Sequence, residues 1–157
     1  MNVWYVNSIL GTFRLEEEND AICGLTLCPD GVPELEPLPR KVCETPLLQK
    51  AEEQLNEYFA GARREFDLPL APKGTPFQKA VWAEMCRIPY GETRTYGQLA
   101  AAVGKPKASR AVGGACHCNP IAILQPCHRV VGSTGRLTGY AYGVEMKQYL
   151  LELEQQE

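Results

Sequence analysis

A chain of 157 residues, 45% hydrophobic and 22% charged, fits one or two small folded domains and excludes disorder and collagen-like repeats. Its net charge of −3 is uneven: residues 1–72 carry 6 Lys and Arg against 13 Asp and Glu, whereas residues 73–157 carry 10 against 6. No apolar run reaches the roughly 18 residues of a membrane span, and seven scattered cysteines behind a start without a basic leader point to reduced thiols and the cytoplasm.

In chain order, Val3–Ile9, Thr12–Leu15 and Ala21–Leu27 read as short strands, with Asn19-Asp20 as turn residues. Glu16-Glu17-Glu18 reads as a solvated turn and Cys28–Pro39 as a proline-rich loop. Thr45-Pro46 opens a helix whose apolar positions Leu47, Leu48, Ala51, Leu55, Tyr58 and Phe59 keep helical spacing, and Gly61 closes it. Three prolines and a glycine in Asp67–Pro76 interrupt both periodicities. The break separates a small sheet-bearing α/β domain, 1–72, from a second domain, 73–157, and the fold class is α+β.

Beyond the break the signals are helical. Thr75-Pro76-Phe77-Gln78 is a capping box with proline at the first helical position, and it starts a helix through Val81, Trp82 and Met85 that ends before Pro89. Thr95-Tyr96-Gly97-Gln98 repeats the cap and starts a shorter helix through Leu99, Ala100 and Val103, stopped by Gly104. After Lys105-Pro106 a third helix runs from about Lys107 to His117. Two short helices across a tight connection have the shape of a helix-turn-helix. The second has a small, smooth side (Ala108, Ala111, Gly113, Gly114, Ala115) with Arg110 near its start. Such a side suits either tight helix packing or close approach to a surface. Lys73, Lys79, Arg87, Arg94, Lys105, Lys107, Arg110, Arg129 and Arg136 stand against only Glu84 and Glu92 in 73–136; the charge alone suits a polyanion partner or a solvated face equally, and coupled to the small helix side it favours a nucleic-acid face.

Asn119-Pro120 ends the third helix, Ile121–Leu124 reads as a short buried strand, and Pro126-Cys-His-Arg-Val-Val131 follows. Cys127 beside His128 and Arg129 sits where a thiolate is stabilised, and only the thiolate is a competent nucleophile. On a strand neighbouring side chains point to opposite faces, so either the chain turns here or one water relays the proton. The other six cysteines read as inert thiols. Cys116-His117-Cys118 is a poor metal site, because residues one and two apart on a helix diverge. A last helix buries Met146, Tyr149, Leu150 and Leu153.

From about Thr75 to Glu154 the chain resembles the O6-alkylguanine-DNA alkyltransferases, the methylated-DNA–protein-cysteine methyltransferases. Arg87-Ile-Pro-Tyr-Gly-Glu-Thr-Arg-Thr-Tyr96, Ser109-Arg-Ala-Val-Gly-Gly114, Asn119-Pro120 and Pro126-Cys-His-Arg-Val-Val131 carry the resemblance, while the first 72 residues match loosely, as a variable ribonuclease-H-like sheet domain. The resemblance implies a winged-helix-like, helix-turn-helix catalytic domain that acts as a monomer on double-stranded DNA carrying O6-alkylguanine, with O4-alkylthymine as a second lesion. No cofactor or metal is implied. Cys127 is then the acceptor, His128 its base through a water, and Glu154 the group that orients and polarises His128. Asn119 braces the turn that aims Cys127. Tyr96 lines the site of the extruded nucleotide and donates to the base, and Tyr140 closes the pocket with Tyr142 beside it in Thr138–Gly143. Arg110 enters the duplex and fills the space of the extruded base, with Lys107, Ala108, Ser109 and Gly113 on the same DNA face.

Read alone, Arg110 is better explained by a phosphate contact and Tyr140 by core packing, and Glu154 reads as a surface carboxylate at a frayed helix end. Two positions depart from the family pattern: Cys116, where some relatives have a larger aliphatic or thioether side chain, and Tyr142, where others have glycine. A non-catalytic DNA-binding module is the competing class, against which Cys127 argues; a cysteine hydrolase lacks a recognisable oxyanion hole.

Overall fold

Asn19 and Asp20 both have positive φ (54° and 60°), the backbone of a tight hairpin whose twist matches that of the strands it joins. They connect β2 (Gly11–Glu18) to β3 (Ala21–Cys28), and β2 pairs antiparallel with β1 (Asn2–Ser8). The computed structural model describes residues 1–135 and 140–156 and divides into two compact units, Met1–Pro72 and the chain from Lys73 onward. In the first unit a two-residue strand, β4 (Lys41–Val42), adds to β1 in parallel and gives the sheet order β3-β2-β1-β4.

One face of this sheet is covered by α1 (Pro46–Phe59), capped by Thr45 Oγ1 accepting from Leu48 N. Phe13, Leu15 and Leu25 pack with Leu48, Ala51, Leu55 and Tyr58 to form the core, all within 1% of complete burial. The three-glutamate run is not a solvated turn. It lies inside β2, and alternation places Glu17 on the buried side with Phe13 and Leu15, 6% exposed. Asn2 Nδ2 and Thr45 Oγ1 donate to its two carboxylate oxygens, at 3.1 and 3.0 Å, so the polar group is satisfied as burial requires.

The second unit is a helical cluster. Both capping boxes form, at Thr75/Gln78 for α2 (Pro76–Met85) and Thr95/Gln98 for α3 (Tyr96–Ala102). Next comes α4 (Ser109–His117), which begins two residues later than Lys107 because Ala108 offers no side-chain cap. Trp82, 1% exposed, locks α2 to α4 by donating from Nε1 to Ala115 O at 2.8 Å. Ala115 therefore belongs to the core, not to the smooth outer side. Gly74 lies against the same ring: a Cβ there would come within 2.5 Å of it.

Two elements too short to read in sequence set the site. The strand pair β5 (Arg94–Thr95) and β6 (Val130–Val131) runs parallel, Arg94 opposite Val130 and Thr95 opposite Val131. This ties the start of α3, and hence Tyr96, to the segment that follows Cys127. The closing helix, α5 (Val144–Gln155), packs its buried side against that segment. Arg136 and Thr138-Gly139 lie outside the described residues.

Candidate active site

Ile121–Leu124 is not a strand. It is a chain of tight turns in which Gln125 N donates to Ile121 O (3.0 Å) and Leu124 N to Ala122 O (2.7 Å). Ile123 is held at φ 68°, a conformation that costs a β-branched residue about 1–3 kcal/mol and persists only where the surroundings impose it. Asn119 imposes it. Its Oδ1 accepts from Ile121 N (3.1 Å) and Gln125 Nε2 (2.7 Å), while its Nδ2 donates to Gln125 O (2.8 Å) and to Cys127 Sγ (3.2 Å). One amide thus makes four hydrogen bonds, braces the turn and points at the thiol. Asn119→Ala leaves several of these buried groups unpaired and lowers unfolding free energy by about 2–4 kcal/mol; Asn119→Asp keeps the acceptor oxygen but turns a second acceptor toward Gln125 O, so it recovers little of the loss. Urea denaturation of both variants measures this.

The turn continues into a 3-10 turn at Cys127–Arg129. Three residues per turn send successive side chains about 120° apart, so the chain turns here without bringing the Cys127 and His128 side chains into hydrogen-bond contact. Cys127, 6% exposed, meets Asn119; His128 and Arg129, 0% and 7% exposed, reach toward α5. There, His128 Nε2 lies 2.6 Å from Glu154 Oε2. Arg129 Nε donates to Oε1 at 2.8 Å and Nη2 to Oε2 at 3.1 Å, while Nη1 donates to Ile88 O at 2.7 Å. Gly91 N adds a bond to Oε1 at 3.3 Å. Arg129 therefore faces Glu154, and the expectation that it stabilises the Cys127 thiolate directly is not met.

Burial raises the Glu154 carboxyl, but the hydrogen bonds and charges of His128 and Arg129 override it and hold the group at about 2. His128 is lowered from its ordinary value: burial opposes its charge, Glu154 pulls it back up, and Arg129 and Lys147 push it down again. Its other ring nitrogen, Nδ1, is buried without a hydrogen-bond partner. Burial also pushes the Cys127 thiol up, and Asn119, Lys147 and Tyr140 offset only part of this. At neutral pH the group is a thiol that must lose its proton on demand, not a standing thiolate.

Tyr140 is buried, its hydroxyl without a hydrogen-bond partner among the described residues, and burial together with the nearby Cys127 thiol pushes that hydroxyl well above its ordinary value. Tyr142 packs edge-on against it, ring centroids 5.8 Å apart at 68°. Tyr96 is half-buried at the start of α3, and a Cβ on Gly113 would lie 4.0 Å from its ring. Lys107, Ser109 and Arg110 are exposed and Ala108 half-buried, and Gly114 opens to free space. Cys116 is buried with its sulfur 3.6 Å from Met85 Sδ, whereas Cys118 is exposed. The two cysteines diverge, as helix geometry requires.

Sequence reading missed Lys147. It is 1% exposed, donates from Nζ to Val130 O, lies 5.8 Å from the centre of the Tyr96 ring and interacts with both Cys127 and Cys116. Burial lowers it, and the two thiols raise it only partly. A signal existed: Lys147, Leu150 and Glu154 are spaced by three and four, which places two charges on the apolar side of α5.

Residues 76–156 match the family described as 6-O-methylguanine DNA methyltransferase, DNA binding domain, and residues 3–72 match its ribonuclease-like domain. The chain is 49% identical over 148 residues to the constitutive methylated-DNA–protein-cysteine methyltransferase of Bacillus subtilis, covering 92% of this chain and 90% of that one. It is 59% identical over 107 residues to the Methanosarcina barkeri methylated-DNA–protein-cysteine methyltransferase, 68% of each chain. The fold superposes on the crystal structure of Mycobacterium tuberculosis OGT in complex with DNA with a TM-score of 0.89 and 41% identity, over 99% of this chain and 93% of that one. The chain belongs to the 6-O-methylguanine DNA methyltransferase family.

Proposed function

We propose that this protein repairs DNA by moving the alkyl group of O6-alkylguanine onto its own Cys127, once per molecule. The observation that carries the reading is the pairing, on one 3-10 turn, of a thiol held by Asn119 with a histidine anchored to Glu154. The exposed side of α4 approaches the duplex, Arg110 takes the place of the extruded base, and the lesion enters beside Tyr96 under Tyr140 and Tyr142. One water carries the thiol proton to His128 Nδ1. The thiolate then attacks the alkyl carbon in line; the carbon–oxygen bond breaks, and its electron pair stays on the guanine. A proton donated by Tyr96 neutralises the leaving base, which lowers the barrier where charge develops.

The product is a thioether with no hydrolytic route back, so stoichiometry is one lesion per chain. The chemistry draws on no cofactor. Among the described residues no helix is long and apolar enough to cross a membrane, and the cytoplasm is the compartment that fits the free thiols.

Incubation with O6-methylguanine DNA adds one methyl group, about 14 Da, to the peptide containing Cys127, and Cys127→Ser takes up none. Intact-mass and peptide mass spectrometry read both. An unchanged mass after hours with excess DNA overturns the alkyltransferase reading in favour of a non-catalytic binder, and a mark on another cysteine overturns the assignment of Cys127.

A further inference from the structure

Arg129 stands two residues after the acceptor cysteine in sequence, yet its guanidinium turns away and holds Glu154 in a fork, Nε to Oε1 and Nη2 to Oε2. Its third nitrogen is anchored on Ile88 O, and the group lies 5.7 Å from the centre of the Tyr90 ring. With Gly91 N and His128 Nε2 added, each oxygen of Glu154 has two partners. A carboxylate used in this way accepts only; it has no proton to give and no free lone pair with which to take one. His128 must therefore place its proton on Nε2 and its lone pair on Nδ1, the nitrogen left without a partner.

We propose that Arg129 is a positioning residue that, through Glu154, fixes the tautomer of His128 and keeps the imidazole uncharged and ready to accept the acceptor thiol's proton. A histidine beside a lone, buried carboxylate tends to be held as imidazolium, which is useless as a base. The fork prevents this by spending the carboxylate charge on a permanent cation. Arg129 does more than brace the carboxylate: its charge also opposes that of His128. The groups facing His128 are Glu154 and Lys147 from α5 and Arg129 on its own turn. Cys86, the cap residue just past α2, senses the Arg129 charge. Of the facing groups, only Arg129 contacts both oxygens of the carboxylate that His128 needs.

The inference rests on the alkyltransferase reading, but one of its tests does not. The chain has two histidines, His117 exposed and His128 buried, so nitrogen-15 spectra of the labelled protein separate cleanly. Wild-type His128 shows the pattern of a protonated Nε2 and an unprotonated Nδ1 down to below the ordinary histidine value. The opposite tautomer, or an imidazolium at neutral pH, overturns the proposal whatever the protein's activity.

In the second test, the methyl-transfer rate is followed against pH with O6-methylguanine DNA. Loss of the Arg129 cation lets His128 hold its proton to higher pH, so in Arg129→Met the acid side of the profile moves up by about one pH unit. Arg129→Lys restores the position of the profile while recovering only part of the rate, because lysine keeps the charge but not the fork. If both variants slow transfer equally at every pH and the profile does not move, Arg129 is a structural brace and the proposal fails. Should Arg129→Met not fold, the Lys variant and the wild-type spectra still decide.

Discussion

Replacing Arg110 with alanine slows alkyl transfer from duplex DNA by an order of magnitude or more and leaves reaction with the free modified base within about twofold of wild type. Over Ser109–Gly114 the exposed residues are Ser109, Arg110, Ala111 and Gly114, so Arg110 is the one long side chain on a face otherwise small enough to lie against a duplex. Extruding a nucleotide costs a few kcal/mol of lost stacking and pairing, and a guanidinium inserted in the gap recovers part of it. Recovery of even 1.4 kcal/mol is about tenfold in the population of the extruded state and hence in rate. The free base pays no such cost and is indifferent to Arg110.

Two other outcomes have different meanings. If Arg110 only contacts phosphate, the variant binds DNA more weakly with a salt slope reduced by about one, and transfer at saturating DNA is unchanged. If both substrates slow equally, the side chain supports the pocket and not the extrusion. Single-turnover rates on duplex and free base, with affinity measured at two salt concentrations, separate the three.

The capped helices and the first hairpin were legible because their signals are local. Thr75/Gln78 and Thr95/Gln98 close capping boxes using groups three residues apart, and Asn19-Asp20 needs no distant partner to make its turn. What was not legible depends on partners far along the chain. Ile121–Leu124 is apolar and buried, which a strand and a packed turn require equally; the choice is made by Asn119, whose amide competes for the backbone groups a strand would pair. Glu17 looks like one of three solvated carboxylates until Asn2 and Thr45, 15 and 28 residues away, supply its donors.

In the site itself the residue types were readable and the directions were not. Arg129 two residues after Cys127 suggests a charge on the thiol, but a 3-10 turn sends it to Glu154 instead. Among the described residues, the cation that acts on Cys127 is Lys147, brought from 20 residues away in sequence by the packing of α5. Nearness in sequence thus misassigned one positive charge and concealed another, because side-chain direction belongs to the local backbone geometry.

Tyr142 offers the sharpest test of substrate size. Its ring packs edge-on to Tyr140, 5.8 Å between centroids, and Tyr140 lies close enough to Cys127 for each to shift the other's ionisation. In the proposed site the two rings would form a wall leading outward from the thiol, with the alkyl group of the lesion beneath it. A methyl group needs little room. A benzyl group needs a slot as wide as a second ring, and widening the slot means separating an aromatic pair worth about 0.5–1.5 kcal/mol beyond its burial. Wild type therefore reacts well with O6-methylguanine and resists the benzylated base. Tyr142→Gly removes the outer ring and frees the loop backbone, so the benzyl rate rises by about an order of magnitude while the methyl rate changes by less than about threefold. Tyr142→Phe keeps the ring and loses only the hydroxyl, and its benzyl-to-methyl ratio stays at the wild-type value. If the glycine variant leaves that ratio unmoved, Tyr142 swings clear of the substrate and the limit on size lies deeper, with Tyr140.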